Sequence, residues 1–207
     1  MNHFFRQMLG FAALLCSLPG CGSDGMDSPS GTDGSLGAPN PAPLTSDAQT
    51  PPNSDGKAVE AWLAAGSYLG WSCELQPHAQ MKVSPHGQNK ICSNELESKF
   101  AGAAGSERPV GSAAVKEMYD DSATLVGYAV AVKVRPASDS GAGWYWYERV
   151  PLSSPVPHDS KGVVADGLGS KGAAQTICVG CHGAAALDDT HTVIGSGDFV
   201  YDQIPAR

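Results

Sequence analysis

Between Leu125 and Pro136 the chain reads LVGYAVAVKVRP. Val126, Tyr128, Val130, Val132 and Val134 fall on one side of a two-residue period, and Gly127, Ala129, Ala131, Lys133 and Arg135 on the other. Alternation of this kind predicts a β-strand with one buried face, because successive side chains leave a pleated backbone on opposite sides. The second face is small at first and charged at its end, which suits close packing against a helix or a flat ligand. VGSAAVKEMY (110–119) comes before it across the turn-rich DDSAT, and WYWYERV (144–150) follows across SDSGAG (138–143), a hairpin loop by composition. Three strands in an antiparallel meander are expected.

The period changes on either side. In AVEAWLAAGSYLGW (58–71), Val59, Trp62, Leu63 and Gly66 share a face at helical spacing. In NELESKFAGAAG (94–105), Asn94 and Glu97 resemble a capping box, Leu96 and Phe100 share a face, and Gly105 suits a C-terminal stop. Residues 151–175 read as a long irregular connection, and GDFVY (197–201) as a last short strand. The fold class expected is α+β, a mostly antiparallel sheet with packed helices.

The first twenty residues have another character. Arg6 precedes the apolar run LGFAALLCSL (9–18), which has the length of a signal h-region and is too short to span a bilayer. LPGC (18–21) resembles a bacterial lipobox with an unusual proline, which would make Cys21 the lipidated first residue of the mature chain. Residues 22–56 contain no aromatic residue, Lys or Arg and are rich in Gly, Pro, Ser and Asp. Such a segment buries too little to offset its ordering entropy and reads as a disordered tether, on the order of 30 Å long as a flexible coil. The expectation is an exported chain, periplasmic or anchored to the outer membrane as a lipoprotein. Three parts follow: a signal at 1–20, a tether at 21–56 and one domain at 57–207. The net charge of −8 argues against nucleic-acid binding, which needs a basic face.

Six cysteines are present. Cys16 leaves with the signal, Cys21 would carry lipid, and Cys178 and Cys181 belong to the motif below. Cys73 and Cys92 remain, and in an oxidising compartment they are expected to form a disulfide.

CVGCHGAA (178–185) places two cysteines two residues apart, with His182 directly after the second. This spacing lets one turn of backbone reach both vinyl groups of a c-type haem and sets the histidine beneath the iron. A zinc corner would want two more ligands, and Asp188 and His191 lie nearby. A thioredoxin-like redox pair would want a βαβ context, and a meander precedes this motif instead. Met81, Met118, His78, His86, His158 and His191 are the possible sixth ligands, and no methionine lies downstream of the motif. An open sixth position binds small molecules; a filled one passes electrons.

Taken in order, SPHGQNKICSN (84–94), PVGSAAVKEMY (109–119), GYAVAVKVRP (127–136), GAGWYWYERV (141–150) and CVGCHGAA (178–185) resemble the cytochrome P-460 and cytochrome c′-beta family. The resemblance spans most of residues 57–207, with a longer connection at 151–175 than the family pattern has. It implies an antiparallel sheet with packed helices, usually in a homodimer, and covalent haem c whose five-coordinate iron is held by His182. The P-460 branch oxidises hydroxylamine to nitrogen oxides and carries a lysine cross-linked to the porphyrin; the c′-beta branch lacks that link and binds nitric oxide or similar gases. Carried onto this chain, the resemblance implies Lys90 as the cross-linking lysine, with Lys82 the runner-up, and Glu117 as a carboxylate accepting protons at the ligand side. It makes Ala129, Ala131, Trp144 and Trp146 walls of the haem pocket. Cys92, close to Lys90, departs from the pattern. The function expected is hydroxylamine oxidation to NO or N2O with a redox partner protein. The alternatives are a non-catalytic NO-binding cytochrome and a simple electron-transfer cytochrome c.

Overall fold

A computed structural model of the chain describes residues 50–79, 86–100, 107–184 and 198–200. All of them fall within one unit, Pro41–Arg207. Six strands, β1 (Ser72–Cys73), β2 (Gln88–Ser93), β3 (Ala113–Tyr119), β4 (Leu125–Lys133), β5 (Trp144–Arg149) and β6 (Val163–Leu168), form one sheet. Their order across the sheet is their order along the chain, and every neighbouring pair is antiparallel. The fold is α+β, and the three-strand meander expected from the alternation is its centre.

The two faces of the sheet are both covered. On the first, Val130 and Val132 of β4 join Val115 of β3 and Tyr145 and Tyr147 of β5, and helix α1 (Gly56–Ala64) lays Val59 and Leu63 over them. Asp55 caps α1 by accepting from the Ala58 amide at 2.9 Å, and the Gly56 amide donates to Asp166 of β6 at 2.8 Å. The folded part therefore starts ahead of Lys57, with Pro51 and Gly56 already buried. The helix expected over 58–71 stops at Ala64, because Gly66 turns into the left-handed region (φ 66°) and the chain continues as turns to Trp71. Helix α2 (Glu95–Ser98) has Asn94 as its cap, accepting from the Glu97 amide at 2.9 Å. The rest of the helix expected to 105 lies, past Phe100, outside the described residues.

Two further expectations are corrected. The connection 151–175 is not wholly irregular, since β6 pairs along β5 from Leu168 to Val163. At 198–200, Asp198 and Phe199 make a turn and Val200 a single bridge residue instead of a strand. Among the described residues no helix is long and apolar enough to cross a membrane.

Cys73 and Cys92 face each other across β1 and β2 and are joined by a disulfide, as expected. The bridge closes a loop between residues 19 apart. Replacing both cysteines by alanine is expected to lower stability by about 3 kcal/mol, the chain-entropy value for a loop of this size. A thermal melt checks this, and an unchanged midpoint would show that the bridge constrains nothing.

Candidate functional site

The second face of the sheet carries the motif. After β6 the chain winds into a π-helical stretch, Ala174–Val179, and continues as helix α3 (Gly180–Ala184). Short π segments recur where a helix must present side chains at an unusual angle. Val179 presses so closely on the loops before β5 and after β6 that a β-carbon on Gly141 or Gly169 would stand 2.5 Å or 2.7 Å from its methyls. These two glycines let the helix sit down on the sheet.

Cys178 is buried with Ala114, Ala131, Ala165 and Ala174 and with Trp144 and Trp146. Ala131, Trp144 and Trp146, three of the four expected walls, thus share one cluster with the first cysteine of the motif. The fourth, Ala129, lies beside it against Met118, Val150, Val164 and Ile177. Burial pushes the Cys178 thiol up to about 12, and the Glu148 charge adds to the shift. Cys181 is exposed, and the two thiols are not bonded to each other.

His182 is fixed from two sides. Its Nδ1 stands 2.6 Å from the Phe199 carbonyl, and its ring centroid 4.7 Å from that of Trp146. A carbonyl only accepts, so Nδ1 carries the hydrogen. This is how a ligating histidine is usually oriented: one ring nitrogen donates to the protein and the other is left basic for the metal. Cys178, Cys181 and His182 are the residues that would hold a haem c, and the sheet face beside Cys178 carries the small side chains Ala114, Ala131 and Ala165.

The ionisable groups on this face are not the ones expected. On β3 the residues alternate: Ala113, Val115 and Glu117 point to the α1 side, and Ala114, Lys116 and Met118 to the Cys178 side. Lys116 Nζ lies 3.2 Å from His86 Nδ1, and His86 Nε2 lies 3.3 Å from Glu148 Oε1. Burial pushes the Lys116 amine and the His86 imidazole below their ordinary values, against the pull of Glu148 on both. Half-buried Lys116 and His86 and buried Glu148 form a polar row on the Cys178 face, and Glu148 is near enough to raise the Cys178 thiol.

Glu117 and Lys90 are brought together, but on the opposite face of the sheet from Cys178. They are cross-strand partners on β3 and β2 and make an ion pair of 3.2 Å. Glu117 also accepts from Tyr68 Oη at 2.6 Å and Tyr119 Oη at 2.7 Å, and Tyr68 belongs to the core beneath α1. Lys90, expected to reach the haem, and Glu117, expected at its ligand, thus lie across the sheet from Cys178. Burial raises the Glu117 carboxyl, but the hydrogen bonds from Tyr119, Tyr68 and Lys90 outweigh it and hold the group below its ordinary value of 4.5. Its stabilising contribution is therefore complete above pH 4.5 and is lost as the pH falls below that value. Glu117→Gln is expected to flatten the acid limb of stability against pH, measured as urea midpoints from pH 6 to 3; an unaltered limb would sink the assignment.

The sixth-ligand candidates separate in the same way. His78 is exposed and paired with Glu74, His158 is half-buried against the Asp159 carbonyl, and Met118 is packed in an apolar cluster. His86 is the histidine described on the Cys178 face apart from the motif. Met81, Lys82, Asp188, His191 and Cys21 lie outside the described residues. Among the described residues no group of three or more His, Cys, Asp and Glu side chains is placed to hold a metal ion.

Asp198 was not singled out from the sequence. It accepts from the Arg108 amide at 2.8 Å, from Lys133 Nζ at 2.5 Å, from Ser138 Oγ and from Trp144 Nε1 at 3.3 Å. Lys133, expected on a charged outer end of β4, is fully buried by this contact. No protein-family model matches the chain, and no curated protein matches it.

Proposed function

We propose that the chain is an exported c-type haem protein, similar to the cytochrome P-460 and c′-beta family, whose haem binds small nitrogen oxides at an open coordination position. The observation that carries this reading is the setting of His182: its Nδ1 is committed to the Phe199 carbonyl, one residue past a pair of thiols that are not bonded to each other, the first of them on a small-residue sheet face. Cys178 and Cys181 would hold the porphyrin by thioether bonds and His182 would be its axial ligand. When bound, the haem supplies an iron that takes small ligands and exchanges single electrons. Cys178, Cys181 and His182 would hold the ring, and Trp146 packs against the histidine ring. Lys116, His86 and Glu148 would supply hydrogen-bonding and proton-holding groups on that face.

Nitric oxide binding is favoured over hydroxylamine oxidation because Lys90, the lysine implied for the ring cross-link, lies across the sheet. Hydroxylamine oxidation is kept as the second reading on one observation. The Lys116–His86–Glu148 row offers a proton-accepting group where Glu117 does not, and general-base help of this kind is worth roughly 10²–10⁴ in rate. A membrane tether through Cys21 and a homodimer belong to the same proposal.

Optical spectroscopy of the full chain tests it. Expected are haem retained after denaturation, a high-spin spectrum without a red-shifted ferrous Soret band, and a shift on adding nitric oxide. Loss of haem on denaturation overturns the reading. A low-spin six-coordinate spectrum favours electron transfer. A red-shifted ferrous band that survives denaturation favours the cross-linked oxidase.

A further inference from the structure

Asp198 and Phe199 are consecutive non-glycine residues in the left-handed region, with φ of 51° and 68°. Each such residue costs on the order of 1–3 kcal/mol and persists only where its surroundings over-determine it. Here the surroundings can be named. The Asp198 carboxylate is gripped by Lys133, Ser138, Trp144 and the Arg108 amide, and the Asp198 and Lys133 side chains are 2% and 0% exposed. Val200 is buried in the Cys178 cluster, and the Phe199 ring lies 3.2 Å from where a β-carbon on Gly183 would be. The turn is held at both ends, and its product is the direction of one carbonyl, that of Phe199, which points at His182 Nδ1.

The contacts also close on themselves. Asp198 accepts from Trp144, Trp144 packs on Trp146 at 6.1 Å, Trp146 packs on His182 at 4.7 Å, and His182 donates to Phe199, the neighbour of Asp198. Lys133 sits over the Trp144 ring at 5.4 Å and braces the same circuit. A tether whose only task was to fasten the chain end would need no strained pair of residues.

We infer that Asp198 is a positioning residue: its buried carboxylate, clamped by Lys133, Ser138 and Trp144, holds the Phe199 carbonyl on His182 and so sets the tautomer and basicity of the histidine that the proposed function places on the iron. The inference rests on that reading for its chemistry, but not for its geometry. A firm acceptor at Nδ1 gives the ring more imidazolate character and strengthens donation from Nε2.

The test is Asp198→Ala in the full chain, read by resonance Raman of the ferrous haem. The iron–histidine stretching band is expected to move to lower frequency. A protein that loses thermal stability with this band unmoved overturns the inference, since that is the result of a purely structural clamp. Should Asp198→Ala not fold, Asp198→Asn is read instead. Its single carbonyl oxygen keeps one of the two acceptor contacts, to Trp144 or to the Arg108 amide, and the charge pair with Lys133 is lost. A smaller downshift is expected, and an unmoved band again overturns the inference. A wild-type chain without covalent haem removes the functional reading alone. The inference is then decided by nitrogen-15 NMR of the His182 ring. Wild type is expected to carry hydrogen on Nδ1 and Asp198→Ala mainly on Nε2; identical tautomers in the two chains overturn it.

Discussion

On the proposed haem reading, the wild-type chain is expected to give a haem-stained band through denaturing electrophoresis and a chain with Cys178→Ala and Cys181→Ala none. Among the described residues the two thiols are the covalent route proposed, because Lys90, the implied third attachment, lies on the far face of the sheet, paired with Glu117. The two cysteines are not equivalent. Cys178 is buried among alanines and tryptophans, whereas Cys181 is exposed. Each single alanine variant should keep one bond and a weaker band. Truncating Cys178 also removes a buried sulfur, a loss on the order of 1 kcal/mol from a small cavity, so its melting point should fall more than that of Cys181→Ala. A double variant that still holds haem after denaturation would sink the assignment of the thiols and point to attachment from another side chain.

The second large effect concerns Arg108. Its side chain and that of Glu97 are both wholly buried, with Nε donating to Oε1 at 2.6 Å. Arg108 also lies over the Phe100 ring at 5.6 Å. A buried pair of this kind is a weak net source of stability, yet breaking it from one side strands the other charge. Arg108→Met is therefore expected to cost about 3–5 kcal/mol. Arg108→Met combined with Glu97→Leu should recover most of that loss, because no charge is left to desolvate. Urea unfolding of the two single variants and the double completes the cycle. A single-variant loss as small as that of an exposed pair, about 1 kcal/mol or less, would contradict the burial. The Arg108 backbone amide, which donates to Asp198, is kept in Arg108→Met, so the loss reports the side-chain pair.

The centre of the sheet was legible because its chemistry is periodic. Val130 and Val132 alternate with Ala129 and Ala131, and WYWY puts Trp144 and Trp146 opposite Tyr145 and Tyr147, so three strands and their faces follow from a period of two. Strand β6 was hidden because VVADGL breaks that period: Asp166 serves the Gly56 amide and Tyr145, and Gly167 bears no side chain. Helix α1 was overrun at Gly66, whose left-handed φ leaves no mark in a run of apolar residues. Local pattern does show that Lys116 and Glu117 point to opposite faces. It does not show which face the segment after β6 will cover, since contacts between Cys178 and strands some thirty to sixty residues earlier decide that. The π-helical winding before the motif and the left-handed pair at 198–199 have no compositional sign at all. His86 was visible as a candidate ligand, but its partners Lys116 and Glu148 come from separate strands and meet only in the folded sheet.

The meander also orders events in time. Each strand pairs with the one made just before it, so the sheet can grow hairpin by hairpin with short loops to close, the kind of topology that folds quickly. Cys73 and Cys92 meet in the first of these pairings, when the only other thiols of the domain are more than eighty residues away along the chain. The correct disulfide is thus the nearest one. Cys178 and Cys181 follow the last strand, so their helix is the last part to dock. Cys178 is buried and its thiol held far from ionisation once that happens. The chain order thus leaves that sulfur uncovered while the sheet is being built.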